Sequence, residues 1–276
     1  MFATSLIIFR EVLEAALVIG IVAAATSGIP TRGRWLFGGA MLGLFGSAII
    51  AASMGAIAQF ADGIGQELFN ACILGAAVVM LAWHSMWMAS RGQAISREAK
   101  SLGGAIRGGQ QSLSILLIVV AIAVLREGAE TVLFLYGISV SGTTSLVEMI
   151  GGGALGLAGG AAAGLALYMG LLRIPVRWFF SVISVLVLLL AAGMAAQAAR
   201  FLVQADVLPS LRTPLWDFSS FMPNESPVGA ELHGLVGYDA HPAGMQVLFY
   251  IIVAIAIAAG TRWAKSRTIS ARNENA

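Results

Sequence analysis

Arg10-Glu11-Val12-Leu13-Glu14 and Arg126-Glu127-Gly128-Ala129-Glu130 spell one pattern, Arg-Glu-x-x-Glu, twice in one chain. Each copy lies inside an apolar stretch long enough to span a bilayer, at about 20 residues per span. Ionisable side chains at membrane depth cost several kcal/mol, so a cluster of them points to function. Two copies of the same cluster call for one explanation that covers both.

The surrounding composition agrees with a membrane setting. The chain has 276 residues, 58% of them hydrophobic and only 11% charged, where a soluble domain carries about 25% charged residues. The apolar residues fall into blocks of roughly 20 to 28 residues separated by short polar joints, which predicts an all-α integral membrane fold in a single transmembrane domain over residues 1–276. Lipid is therefore the first partner. A net charge of +2 gives no nucleic-acid signal. The single cysteine, Cys72, cannot form an intrachain disulfide and has no metal-binding spacing around it. No Lys or Arg precedes Arg10 and three charges interrupt the first apolar block, so that block is expected to be a retained helix and not a signal peptide.

Seven spans are predicted: about 2–25, 35–58, 66–90, 112–138, 146–172, 178–203 and 245–261. A long loop occupies about 204–243. Of the 16 Lys and Arg residues, twelve fall in joints 1–2, 3–4 and 5–6 and in the C-terminal tail. The opposite side holds Asp62, Glu148, Asp206, Asp217, Glu225, Glu231 and Asp239. Positive residues mark the cytoplasmic side, so the N-terminus is expected outside and the C-terminus inside.

The two motifs lie 116 positions apart, in the first and fourth spans, and would run in opposite directions. Helix 2 places small residues at every fourth position (Gly39, Gly43, Ser47, Ala51, Gly55), and helix 5 does the same (Gly152, Gly156, Gly160, Gly164). Such ladders let helix backbones approach closely. They would press helices 2 and 5 against the motif helices or against another protomer, and the sequence leaves both open. The pattern predicts a 3+3 inverted repeat, about 1–90 and 112–203, plus a seventh helix. Transporters of this build hold their ions near the midplane, at the repeat interface.

At about 100° per residue, Arg10, Glu11 and Glu14 occupy one sector of helix 1, as Arg126, Glu127 and Glu130 do on helix 4. If the helices face each other, four carboxylates converge against two arginines. Glu11, Glu14, Glu127 and Glu130 are then candidate ligands for a hard cation, with Arg10 and Arg126 as charge balance. The residues alone also admit a pair of structural ion pairs or a proton relay.

With its motifs in the first and fourth of seven helices, the chain resembles the oxidase-dependent iron transporters, the family of fungal high-affinity iron permeases and bacterial EfeU-type permeases. The resemblance covers nearly the whole chain. The loop segment Leu215-Trp216-Asp217, with Ser226, Gly229, Leu232-His233, Gly237-Tyr238, Pro242, Gly244 and Gln246, is similar to the last external loop of the bacterial members. Fungal members carry a compact acidic motif in an external loop, whereas the acids of 204–243 here are scattered. The resemblance implies ferric iron (Fe3+) as the transported ion, with no permanently bound cofactor. It also implies glutamates that bind and pass the ion, a separate extracytoplasmic oxidase or iron-delivery partner, and a bacterial inner membrane.

Other polar residues are secondary candidates. Glu67 and Asn70, near the outer end of helix 3, and His84, towards its cytoplasmic end, could line the way in or out. In the loop, Asp217, Glu231, His233, Asp239 and His241 could gather cations or dock a partner, although each is equally well explained as part of a solvated loop. No metalloprotease, serine-hydrolase or phosphate-loop motif is present, so no enzyme activity is expected.

Overall fold

The computed structural model describes residues 1–60, 65–140, 144–169 and 176–273. Asp62, counted above among the outward acids, and Arg173 and Pro175 of the fifth joint lie outside the described residues. Among the described residues there are eight helices and no strand: α1 (Phe2–Ala25), α2 (Arg32–Phe60), α3 (Gln66–Arg107), α4 (Ser114–Val140), α5 (Leu146–Tyr168), α6 (Val176–Gln204), α7 (Pro227–Val236) and α8 (Gly244–Asn273).

Five helices are long and apolar enough to cross a membrane: α2, α3, α5, α6 and α8. The 24-residue α1 and 27-residue α4 match them in length but carry the motif charges. The molecular surface suits lipid. Phe37, Phe45 and Ile49 on α2, Val147 and Ile150 on α5, and Ile252 and Ile255 on α8 all face outward. Cys72 is also exposed.

Local signals set the helix ends. The Thr26 hydroxyl donates to the Val22 carbonyl at 2.7 Å, and Gly28 turns the chain with φ of 83°. Arg32 then reaches back to donate to the Ala23 carbonyl at 2.7 Å, placing a cation at the negative end of α1. Ser145 and Glu148 form a reciprocal capping box that starts α5, so this Glu148 serves a helix end.

Two helices run well past their expected ends, and the loop expected over 204–243 carries a short helix, α7. The third helix does not stop near residue 90 but continues to Arg107. Its extension packs Ala99 and Leu102 against Val22, Leu36, Leu116 and Val120 from α1, α2 and α4. That apolar contact holds the basic segment in helical form. The last helix likewise runs on into the basic tail, to Asn273.

The small-residue ladders lie against the motif helices. α5 packs on α1, and α2 packs on α4. A Cβ on Gly160 would fall 2.7 Å from the Phe9 carbonyl and 2.9 Å from Val12, while Gly152 faces Met1 and Thr4, Gly156 faces Ser5 and Ile8, and Gly164 faces Ala16. On the other pair, Gly39 faces Leu117 and Val120, Gly43 faces Ala121 and Val124, and Ser47 lies against Gly128. Contacts advance in step along both partners, so each pair runs parallel. At the third rung the pairing is Gly160 with Val12 on one side and Ser47 with Gly128 on the other, so the small residue changes helix. α6 lies behind these pairs, packed against α3 and α8, with Ala191 to Ala199 almost wholly buried.

Gly156→Ala is expected to destabilise the protein by about 1–3 kcal/mol through overpacking at backbone contact. Gly151→Ala, which meets nothing within 4 Å, is expected to be neutral. Thermal unfolding of the two variants in detergent reads the difference, and equal melting temperatures would contradict this packing.

Candidate metal site

Both motifs fall near the middle of their helices, and α1, α3 and α4 meet there. On α1, Arg10 Nη2 lies 2.6 Å from Glu11 Oε1, and Nε lies 3.4 Å from Glu14 Oε1. Across the interface the same Nη2 is 3.6 Å from Glu130 Oε2 on α4. Arg126 pairs with Glu127, its Nε at 2.9 Å from Oε1, and reaches Glu130 at 4.0 Å. The convergence of four carboxylates expected from the helical wheel is therefore present as geometry.

A third helix joins them. His84 lies between the motifs, with Nε2 at 2.8 Å from Glu14 Oε2 and Nδ1 at 3.1 Å from Glu130 Oε1. The expectation of a histidine near a membrane surface assumed a helix ending at residue 90. Because α3 runs on to Arg107, His84 sits in its interior. Apart from Cys72 it is the one ionisable residue between Glu67 and the basic stretch beginning at Arg91, and that isolation within an apolar run is the sequence signal for it.

The two halves are not equivalent. The Arg10 side chain is 5% exposed and lies over the Phe134 ring at 5.9 Å, within range of a cation–π contact. The Arg126 side chain is 40% exposed. Only one arginine is therefore locked into the cluster. One oxygen each of Glu11, Glu127 and Glu130 (Oε2 in each) is buried without a hydrogen-bond donor, while Glu11 Oε1 has the Arg10 guanidinium at 2.6 Å. Buried carboxylate oxygens in that condition are costly unless a cation satisfies them.

The donors group into two sets. Atoms of Glu11, Glu127 and Glu130 lie within 4.8 Å of one another, and so do atoms of Glu14, His84 and Glu127. A cation with bonds of about 2.1–2.5 Å can bridge such spans. Four glutamates and two arginines leave a formal charge of about −2 with His84 neutral, so a trivalent ion brings the cluster to about +1 and a divalent ion to about zero.

The remaining candidates lie elsewhere. Glu67 is half-buried in the first turn of α3, and Asn70 is buried one turn on. Asn70 shares a helix face with His84, about 21 Å along the axis. Leu74, Ala77 and Leu81 fill that face between them, packed with Ile7, Phe134 and Ile138. Glu67 and Asn70 are thus separated from the cluster by apolar packing.

The loop acids and histidines make local contacts. Glu231, on α7, accepts from the Met1 amine at 3.2 Å and from the Phe2 backbone N–H at 3.1 Å, capping the positive end of α1. His233 is buried, with its Nδ1–H donating to the Tyr238 carbonyl at 2.6 Å and its Nε2 accepting from the Gln197 amide at 2.6 Å. Burial pushes its pKa below the ordinary value of 6.5. Asp239 ties the loop together by accepting from Asn224, the His241 backbone and Gln246. Burial opposes its charge, but the Asn224 and His241 hydrogen bonds hold it below the usual carboxylate range. Asp217 accepts from Ser219 in an exposed turn, and His241 is exposed beside Asp239 at 3.2 Å.

Residues 1–271 match the family described as "Iron permease FTR1 family". The chain belongs to that family. It is 31% identical over 264 residues to the ferrous iron permease EfeU of Escherichia coli O6:H1, covering 92% of this chain and 93% of the relative. It is 29% identical over 265 residues to the ferrous iron permease EfeU of Yersinia pestis, covering 92% and 91%. No solved structure matches. The chain is thus an integral membrane iron permease by family, and not an enzyme.

Arg10→Gln is expected to cost about 3–5 kcal/mol because it strands buried carboxylates. Arg126→Gln, which leaves the enclosed Arg10 in place and removes a side chain 40% exposed, should cost less than Arg10→Gln. Thermal melts in detergent compare them, and equal losses would contradict the asymmetry. The loop carries a separate pH signature. The pKa of His233 is lower folded than unfolded, so its contribution to stability is complete above about pH 6.5 and is lost as pH falls below it. Hydrogen exchange of the α7 amides should therefore speed up between about pH 7.5 and pH 5 beyond the intrinsic change. Unchanged protection would contradict a neutral buried His233.

Proposed function

We propose that this permease imports ferric iron across a bacterial inner membrane, with Glu11, Glu14, Glu127 and Glu130 as ligands and Arg10 and Arg126 as charge balance. The observation that carries this reading is a single buried cluster of four motif carboxylates whose charge exceeds that of its arginines, in a member of an iron permease family. Carboxylate oxygens suit a hard trivalent ion. Its curated relatives are named for ferrous iron. A separate extracytoplasmic oxidase or delivery protein reconciles the two: ferrous iron reaches the surface and ferric iron enters the site.

Seven spans with the N-terminus outside complete the proposal. The lengths of α1 and α4 support the count, and the distribution of Lys and Arg supports the orientation. A 3+3 inverted repeat is supported by the reciprocal packing of α1 on α5 and α2 on α4, each pair parallel. An inside-negative potential would favour inward movement, by about 7 kcal/mol for three charges across 100 mV.

Glu14→Ala and Glu130→Ala should each abolish iron uptake while the protein still reaches the membrane. Uptake of labelled iron by cells, alongside membrane immunoblots, reads both. Normal uptake by both variants would sink the proposal. In proteoliposomes, ferric iron should compete better than ferrous, manganese or lead ions.

A further inference from the structure

The cluster is built asymmetrically, and the asymmetry has a chemical meaning. The two motifs supply the same residue types from α1 and α4. The third element, His84, has no counterpart: when the third and sixth helices are aligned by setting Phe69 against Phe180, its position in α6 is Ala195, a buried apolar residue. One imidazole therefore enters an otherwise all-oxygen cluster.

The ring is set between two carboxylates, and an ion held by Nε2 and Glu14 together would take the place of the proton between them. A metal-binding histidine presents one nitrogen to the ion and gives its other N–H to a carboxylate that fixes the ring. Here Nδ1 meets Glu130 at 3.1 Å, while Nε2 faces Glu14 at 2.8 Å. Donor atoms of Glu14, His84 and Glu127 gather within 4.8 Å, beside a separate all-oxygen group of Glu11, Glu127 and Glu130. Glu127 belongs to both, and one of its oxygens is buried without a donor. The two groups therefore adjoin, one a set of three carboxylates and the other a mixed nitrogen–oxygen set.

We propose that His84 is a direct ligand of the transported ion. The ion steps from an oxygen station (Glu11, Glu127, Glu130) to a mixed station (Glu14, His84, Glu127) by way of the shared Glu127. This rests on the iron-import reading above and deepens it. In the proposed orientation Glu11 and Glu130 lie on the outer side of their motifs and Glu14 and Glu127 on the inner side, so the ion meets oxygen first and nitrogen second. An imidazole suits transition metals and not calcium or magnesium, so the second station discriminates against abundant hard divalent ions that carboxylates alone would accept.

The test is iron K-edge X-ray absorption on the full-length purified protein loaded with ferric citrate and washed free of excess. The native protein should show the outer-shell scattering of one imidazole along with oxygen ligands. His84→Gln should retain bound iron on oxygen ligands alone, lose that scattering, and transport iron at least about tenfold more slowly. Calcium should compete for uptake more strongly in that variant than in the native protein. Bound iron in the native protein with oxygen ligands only would overturn the role of His84 while leaving the iron-import reading standing. No retained iron in the native protein would overturn both. Because the native spectrum decides the ligand question, a misfolded variant does not blunt the test.

Discussion

The organising constraint is the burial of four carboxylates on two facing helices. All four are buried, and a buried carboxylate without a cation or donor is expensive. Arg10, enclosed and stacked over Phe134, offsets part of the charge and bridges both motifs. Arg126, open to its surroundings on one side, offsets less. His84 occupies the space between Glu14 and Glu130. Even so, one oxygen each of Glu11, Glu127 and Glu130 stays buried without a hydrogen-bond donor. A cation entering the cluster would satisfy those oxygens.

The rest of the fold serves to hold those helices. Backbone contact along the glycine ladders fixes α5 on α1 and α2 on α4, so each motif helix is braced along its length by a partner running the same way. Van der Waals packing dominates helix association in lipid, which explains why these contacts use glycine and serine and not large apolar residues. The exchange at the third rung, where glycine stands opposite Val12 on one side and opposite Ser47 on the other, keeps the same spacing in both pairs. At the start of α1, Glu231 on α7 ties the 204–243 loop to the helix that carries the first motif. The Leu74–Phe134–Ile138 packing separates the cluster from Asn70.

Much of this was legible in the residues. The repeated Arg-Glu-x-x-Glu pattern, the apolar blocks and the every-fourth-residue ladders led to an all-helical membrane fold and to the family. The ladders' partner was not legible, because a small-residue stripe says only that something approaches closely. The end of α3 was misjudged because a basic, glycine-containing segment reads as a joint, while its apolar residues Ala99 and Leu102 are few and find their partners only in the folded bundle. That error displaced His84 from the cluster. The roles of Glu231 and His233 were also hidden, since a helix cap and a buried neutral histidine both depend on contacts more than thirty residues away in sequence.

The central claim is that one ion-binding site lies where α1, α3 and α4 meet. Anomalous-difference density at the iron edge, from crystals of the full-length protein grown with ferric citrate, tests it most directly. The expected result is a peak enclosed by Glu11, Glu14, Glu127 and Glu130, with the Arg10 guanidinium beside it. A peak confined to the 204–243 loop, with none between the motif helices, would contradict the account.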